Sequence, residues 1–206
     1  PLFEPGATPP VQADMRVQEE LFAGAIWLPP GMRLQNEFIS AVEEAELIAA
    51  IREQPLKEAQ YRQFTARRRI VSFGGRYDFS SQELLPAGPI PPFLHPIRER
   101  VARWTQIPAE LFTHALIAEY QPGTQLGWHR DVPDFEAIAG ISLLGRARMR
   151  LRPYPPRKSS GVRSTPLDLE PRSAYSMTGE ARWRWQHAIS PTKELRYSLT
   201  FRTLAQ

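Results

Sequence analysis

His129 and Asp131 stand two residues apart in Gly127-Trp128-His129-Arg130-Asp131. On an extended backbone that spacing turns an imidazole and a carboxylate to one side, with Trp128 and Arg130 on the other. Such a pair holds one metal ion, although a histidine that only hydrogen-bonds a neighbour satisfies the same spacing. A third ligand of suitable type, His187, follows Trp183 and Trp185 at strand alternation. Two imidazoles and one carboxylate form a facial triad, leaving adjacent positions of an octahedral ion open. That arrangement suits non-haem Fe(II) taking up a cosubstrate and dioxygen. Zinc on the same three ligands would serve hydrolysis instead. Cysteine is absent, which excludes thiolate zinc sites, iron–sulfur clusters, disulfide scaffolds and cysteine nucleophiles. In Arg196-Tyr197-Ser198-Leu199-Thr200-Phe201-Arg202 the two arginines share a face with Ser198 and Thr200. Turned inward, they call for a dianion between sheets, because an unpaired buried charge costs several kcal/mol. Turned outward, they are simply solvated.

Ligands this far apart in sequence meet only across strands. A helix is predicted over Ser40 to Gln54: Ser40 and Glu43 form a capping box, Ala45, Ile48 and Ile51 recur on one face, and Pro55 follows. A second spans Pro92 to Gln106, where Leu94, Ile97, Val101 and Trp104 keep the helical period ahead of Pro108. Leu21 to Leu28 reads as a strand. Short strands follow the helices, at His114–Gln121, Ala137–Leu144, Ala147–Arg152, Thr165–Leu169, Ser173–Met177, Ala181–Ile189 and Arg196–Leu204. Helices first and strands afterwards predict an α+β, mainly β fold, a sandwich or jelly roll with helices packed on one sheet. The proline- and serine-rich stretch Pro153 to Pro166 reads as a mobile loop.

The 206 residues suffice for one domain, expected over 21–206, with residues 1–20 as an extended arm. No apolar run approaches a membrane span, and Pro1 to Pro10 lacks the pattern of a secretory signal, so a cytoplasmic monomer away from membranes is expected. The net charge of +4 hides an asymmetry: residues 1–60 carry 4 basic and 10 acidic side chains, and residues 61–206 carry 22 and 12. Of the 26 basic residues only Lys57, Lys158 and Lys193 are lysines. Arginine matches phosphate bidentately, so a polyanionic partner is expected, although the same bias also fits a merely solvated surface.

Between Tyr61 and Asp78 arginines interleave with aromatics, through Arg67-Arg68-Arg69, Phe73-Gly74 and Arg76-Tyr77. That pattern suits a surface gripping phosphates and stacking bases, and equally a hairpin with solvated arginines and packed aromatics. Further motifs follow in order: Tyr120-Gln121-Pro122-Gly123, Trp128 to Asp131, Ile141-Ser142-Leu143, Met177 to Arg182, His187 before Ile189-Ser190-Pro191, and Arg196 to Arg202. Over residues 21 to 204 the chain resembles the AlkB-like Fe(II)- and 2-oxoglutarate-dependent dioxygenases.

That resemblance implies a double-stranded β-helix (jelly roll) core and an oxidoreductase using Fe(II), 2-oxoglutarate and O2. His129, Asp131 and His187 would bind iron. Arg196 would pair with the distal carboxylate of 2-oxoglutarate, Arg202 with the carboxylate beside the keto group, and Tyr120 would hydrogen-bond the cosubstrate. Residues 61–80 would form a substrate lid, in which Arg68 and Phe73-Gly74 keep the family spacing and Phe73 and Tyr77 stack on a flipped base. The implied reaction is oxidative demethylation of N-alkylated bases in DNA or RNA, as alkylation repair or RNA modification. Relatives using the same chemistry act on protein side chains, modified tRNA nucleosides or small molecules. Two positions depart from the family. Ala118 stands where many members carry an asparagine that contacts the cosubstrate, and Pro133 where repair members often carry a base-reading acid, for which the adjacent Asp134 would substitute.

Overall fold

The computed structural model describes residues 27–61, 64–78, 81–156 and 164–205. The expected arm, the first six residues of the strand expected at Leu21–Leu28, and residues 157–163 of the proline-rich loop lie outside them. Trp27 and Leu28 are not in a strand; the first strand, β1, is Met32–Gln35.

Helix α1 covers Ala41–Arg52. Its capping box is formed: the Ser40 hydroxyl accepts from the Glu43 amide at 3.2 Å, and the Glu43 carboxylate accepts from the Ser40 amide at 2.8 Å. One turn in, the buried Glu44 accepts from the Leu144 amide at 2.8 Å and from Arg172 at 3.4 Å, pinning the helix start to the sheet. Helix α2, His95–Thr105, follows a 3-10 turn at Pro92–Leu94 and ends where Gln106 enters the left-handed region at φ 62°. Leu47, Ile48 and Ile51 of α1 and Leu94, Ile97 and Val101 beside them pack with Ile117, Ile141, Leu199 and Phe201 from a sheet. The helices therefore cover one face of that sheet, as the sequence predicts.

The sheet has seven strands. Besides β1 they are β2 (Lys57–Tyr61), β3 (Phe64–Phe73), β6 (His114–Tyr120), β8 (Phe135–Leu144), β11 (Ala174–Met177) and β13 (Arg196–Leu204). Their order is β1-β11-β8-β13-β6-β3-β2, with every neighbouring pair antiparallel. A smaller sheet, ordered β10-β9-β12-β7, holds β7 (Leu126–His129), β9 (Ala147–Pro153), β10 (Thr165–Leu169) and β12 (Trp185–Ile189). Met149, Leu151, Leu167 and Ile189 of this sheet meet Tyr120, Ile138, Tyr175 and Met177 of the larger one, so a second core lies between the sheets. The result is a jelly roll with helices on one outer face. Two short strands, β4 (Arg76–Asp78) and β5 (Glu83–Leu85), pair beside it.

The strand expected over Ala181–Ile189 is corrected. Gly179–Trp183 form a short helix, α3, and β12 begins only at Trp185. The helical turn carries Arg182 into the interior, where its guanidinium binds main-chain carbonyls of residues 131–135. Four such hydrogen bonds outweigh an alternation signal that rested on two tryptophans. No helix among the described residues is long and apolar enough to cross a membrane.

Candidate metal centre and cosubstrate pocket

Pairing of β12 with β7 sets His187 directly opposite His129. Leu151 of β9 lies on the other side of His187, and all three point between the sheets. Asp131 follows two residues beyond His129, past the strand end. Ligand atoms of His129, Asp131 and His187 lie within 4.8 Å of one another, with Asp131 Oδ1 at 3.9 Å from His129 Nε2 and 3.5 Å from His187 Nε2. His129 Nδ1 lies 2.8 Å from the Gly127 carbonyl, which accepts a hydrogen bond from Nδ1–H and leaves Nε2 with its lone pair toward the cluster.

The electrostatics favour the deprotonated ligand set. Burial pushes the His187 imidazole down to about 3, and the facing His129 adds to the shift. Burial likewise lowers His129. Burial alone would raise the Asp131 carboxyl, but Arg202 and the two imidazoles outweigh it and hold the group well below the usual carboxylate range. Arg202 Nε donates to Asp131 Oδ2 at 2.7 Å, which leaves Oδ1 turned to the imidazoles. Two neutral imidazoles and an ionised carboxylate on one side of a cavity are the donor set that Fe(II) takes with open positions to spare.

Those positions open into a cavity of about 1210 Å³ between the sheets. Its floor shows the alternation expected of β13: Arg196, Ser198, Thr200 and Arg202 line it, whereas Tyr197, Leu199 and Phe201 belong to the core beneath the helices. Arg196 is 1% exposed, and its Nε donates to Ser142 Oγ at 2.9 Å while the buried Nη1 has no partner. An uncompensated, buried guanidinium with an orphaned donor on a cavity wall fits an anionic ligand. Its planar group lies over the Tyr120 ring, 5.0 Å from the centroid. Tyr120 also accepts from Arg68 Nη1 at 3.3 Å, and Arg68 Nε is a second buried donor without a partner. Ala118 lies on the cavity wall beside them. On the neighbouring β3, Ile70 pairs with Ala118, and Arg68 stands two residues further along the same face. Burial and the Asp131 charge push the Tyr175 phenol up to about 12, which keeps it a proton donor on the same wall.

The expected substrate contacts divide. Tyr77 and Arg68 line the cavity. Phe73 does not: it packs against the helix-side core, because β3 alternates and turns Arg68, Ile70 and Ser72 to the cavity and Val71 and Phe73 away from it. Asp134 also lies off the cavity wall, where its carbonyl accepts from the Ala205 amide. Val132 and Pro133 line the cavity in its place. Arg69 is held bidentately by Glu119 at 2.8 and 2.7 Å, so its charge is compensated.

Three further residues escape sequence reasoning. His114 lines the cavity with Nδ1 3.4 Å from Arg202 Nη1. Alternation backward from Tyr120 reaches it. Arg182 sits inside a quoted motif, yet its grip on the Asp131, Val132 and Phe135 carbonyls, at 2.7 to 3.2 Å, has no local signature. Ser142 belongs to the Ile141–Leu143 motif, but only the pairing of β8 with β13 brings its hydroxyl to Arg196.

Residues 31–202 match the family model of the 2OG-Fe(II) oxygenase superfamily. The chain is 30% identical over 181 residues to the Alkylated DNA repair protein ALKBH8 homolog of Arabidopsis thaliana, covering 78% of this chain and 51% of that one. It is 30% identical over 176 residues to the tRNA (carboxymethyluridine(34)-5-O)-methyltransferase ALKBH8 of Mus musculus, covering 81% of this chain and 25% of that one. The chain therefore spans about half the length of the first relative and a quarter of the second. The solved structure of OsALKBH1 superposes with a TM-score of 0.69 at 17% identity, over 86% of this chain and 98% of that one.

Proposed function

Because the chain belongs to the 2OG-Fe(II) oxygenase superfamily, we propose that this AlkB-like dioxygenase oxidises methyl groups on the bases of nucleic acids. The observation that carries the reading is one cavity holding two things: the His129–Asp131–His187 cluster with an unpaired Arg196 beside it, and a mouth lined by Arg76, Tyr77, Trp128, Arg130, Tyr154 and Trp183. Basic and aromatic side chains around an oxidising centre suit an extruded base on a phosphate backbone.

Fe(II) bound with 2-oxoglutarate supplies reductive activation of O2: one oxygen atom goes to succinate, formed with loss of CO2, and the other to the substrate's methyl carbon. On an N-methylated base the product is a hemiaminal, which expels formaldehyde and restores the base. The protein residues carry the remaining tasks. His129, Asp131 and His187 would hold the metal, and Arg202 fixes which Asp131 oxygen is offered. Arg196 would take the distal carboxylate of 2-oxoglutarate, with Tyr120 and Ser142 orienting it. Arg202 would contact the other carboxylate through nitrogens not engaged by Asp131. Arg182, through its hydrogen bonds to the Asp131, Val132 and Phe135 carbonyls, positions the segment that carries Asp131.

A modified tRNA nucleoside is the second substrate, favoured by the name of the mouse relative. Both are tested by one incubation with Fe(II), ascorbate, 2-oxoglutarate and a panel of methylated single-stranded DNA, RNA and tRNA oligonucleotides. Loss of a methyl group with formaldehyde, or a hydroxylated nucleoside, read by mass spectrometry, is expected. Succinate formed while every panel member stays unaltered contradicts the nucleic-acid reading and spares the iron chemistry.

A further inference from the structure

Arginines at 148, 150 and 152 alternate along the outward side of β9, with Arg146 just before it, around the buried Ala147, Met149 and Leu151. The pair at one end is compensated. Arg146 meets Asp168 at 3.2 Å and Glu170 at 2.6 Å, and Arg148 meets Asp168 at 2.8 Å. Arg150 and Arg152 make no ion pair among the described residues. Both guanidinium groups instead lie over the indole of Trp128, at 5.1 and 4.3 Å from its centroid.

The register produces this arrangement. Arg150 pairs with Ala188, and Arg152 with Gln186. Past the His187–His129 pair the register of β12 against β7 shifts before Ile189–Leu126, so Gly127 and Trp128 both fall beside Ala188, and the indole meets the arginines of β9. Arg152 Nε donates to Gln186 at 2.8 Å, and Arg150 Nε, though buried, has no partner. The surface continues to the cavity mouth, where Arg130 stacks on Tyr154 at 4.0 Å and donates to the Trp183 carbonyl at 2.9 Å. Trp128, Arg130, Tyr154 and Gln186 also line the cavity itself.

We infer that the outer face of the smaller sheet, centred on Trp128, Arg150 and Arg152, binds the phosphate backbone of a single-stranded nucleic acid whose base enters the cavity. A cation–π contact orders a guanidinium without neutralising it, so its remaining N–H groups and its full charge stay available to phosphate. The indole adds a stacking platform of the kind that holds single strands with little sequence preference. The contrast within one strand identifies the occupant as an anion: the carboxylate partners stop at Arg148, and the arginines beyond it, nearer the mouth, have none. The inference rests on the nucleic-acid reading of the cavity, which it extends to the route the strand follows outside it.

The test is fluorescence anisotropy with unmodified, labelled single-stranded DNA and RNA oligonucleotides about 15 nucleotides long, over a KCl series. Binding by the wild type is expected to weaken steeply with salt. Arg150→Gln/Arg152→Gln should weaken binding about tenfold or more at low salt and flatten the logarithmic salt slope by about 1 to 2. Arg146→Gln/Arg148→Gln removes the same charge from the same strand and should change affinity by less than about twofold, since its arginines are already paired. Co(II) titration of the metal cluster verifies that each variant is folded. Equal losses in both double variants, no loss in the first, or a wild type without salt-dependent binding each overturn the proposal. Intact backbone binding with no base oxidised in the panel strikes the base reading alone. Base oxidation with backbone binding indifferent to Arg150 and Arg152 strikes this surface alone.

Discussion

Arg202 and Arg196 sit on one strand face six residues apart and perform different work. Arg202 Nε donates to Asp131 at 2.7 Å, whereas Arg196 keeps a buried Nη1 unpaired on the cavity wall. Removing a buried cation whose partner is an anionic ligand costs about 2–5 kcal/mol of binding. Arg196→Gln should therefore raise the KM for 2-oxoglutarate by about 30-fold or more, with a smaller effect on kcat at saturation. Steady-state succinate formation measures it, and an unchanged KM would remove Arg196 from the cosubstrate site. The neighbouring His114 carries a pH dependence. Burial, with the Arg202 charge added, pushes it down to about 3 from an ordinary 6.5, against the smaller opposing pull of Asp131 and a hydrogen bond to the Gly75 main chain. Below pH 6.5 the unfolded chain takes up a proton that the folded chain refuses. Stability contributed at this position is thus complete above that pH and declines as the pH falls toward 3. Denaturant unfolding between pH 7 and 4 should show a shallower decline for His114→Gln than for the wild type, and equal slopes would refute the assignment.

At the level of elements, the turn between β3 and β4 depends on a single glycine. Gly74 has φ +79°, its amide donates to the Gly88 carbonyl at 2.6 Å, and a Cβ there would lie 1.8 Å from the Thr113 carbonyl oxygen. Gly74→Ala must move main chain in a region that only glycine enters freely, and a stability loss of about 2 kcal/mol or more in denaturant titration is expected. A loss below about 0.5 kcal/mol would show that the turn relaxes. Elements with a period or a cap were legible: the Ser40 box, both long helices, and the strands Thr165–Leu169 and Arg196–Leu204 end where the sequence places them or within a residue or two. Elements set by distant partners were not. Met32–Gln35 becomes a strand through pairing with Ala174–Met177, and Gly179–Trp183 becomes a helix through the carbonyls awaiting Arg182. Phe73 departs from the expected cavity position for a related reason: an aromatic beside a glycine carries no information on which face of β3 it takes, and register sends it to the helix side.

For the whole molecule, two sheets divide the labour. The larger one buries its helix-facing side in a conventional core and turns the arginine-bearing side of β13 inward. The smaller one brings His129 and His187 opposite each other and carries Trp128 and the arginines of β9 on its outer side. Chemistry and strand binding thus occupy the two faces of one four-stranded sheet, joined at the cavity mouth. The most direct test of the central claim is succinate formed from 2-oxoglutarate under air, with Fe(II) and ascorbate, by the wild type and by His129→Ala, Asp131→Ala and His187→Ala. Iron-dependent succinate from the wild type and background levels from all three variants are predicted. Wild-type rates in any one of the three, with iron supplied, would contradict the account.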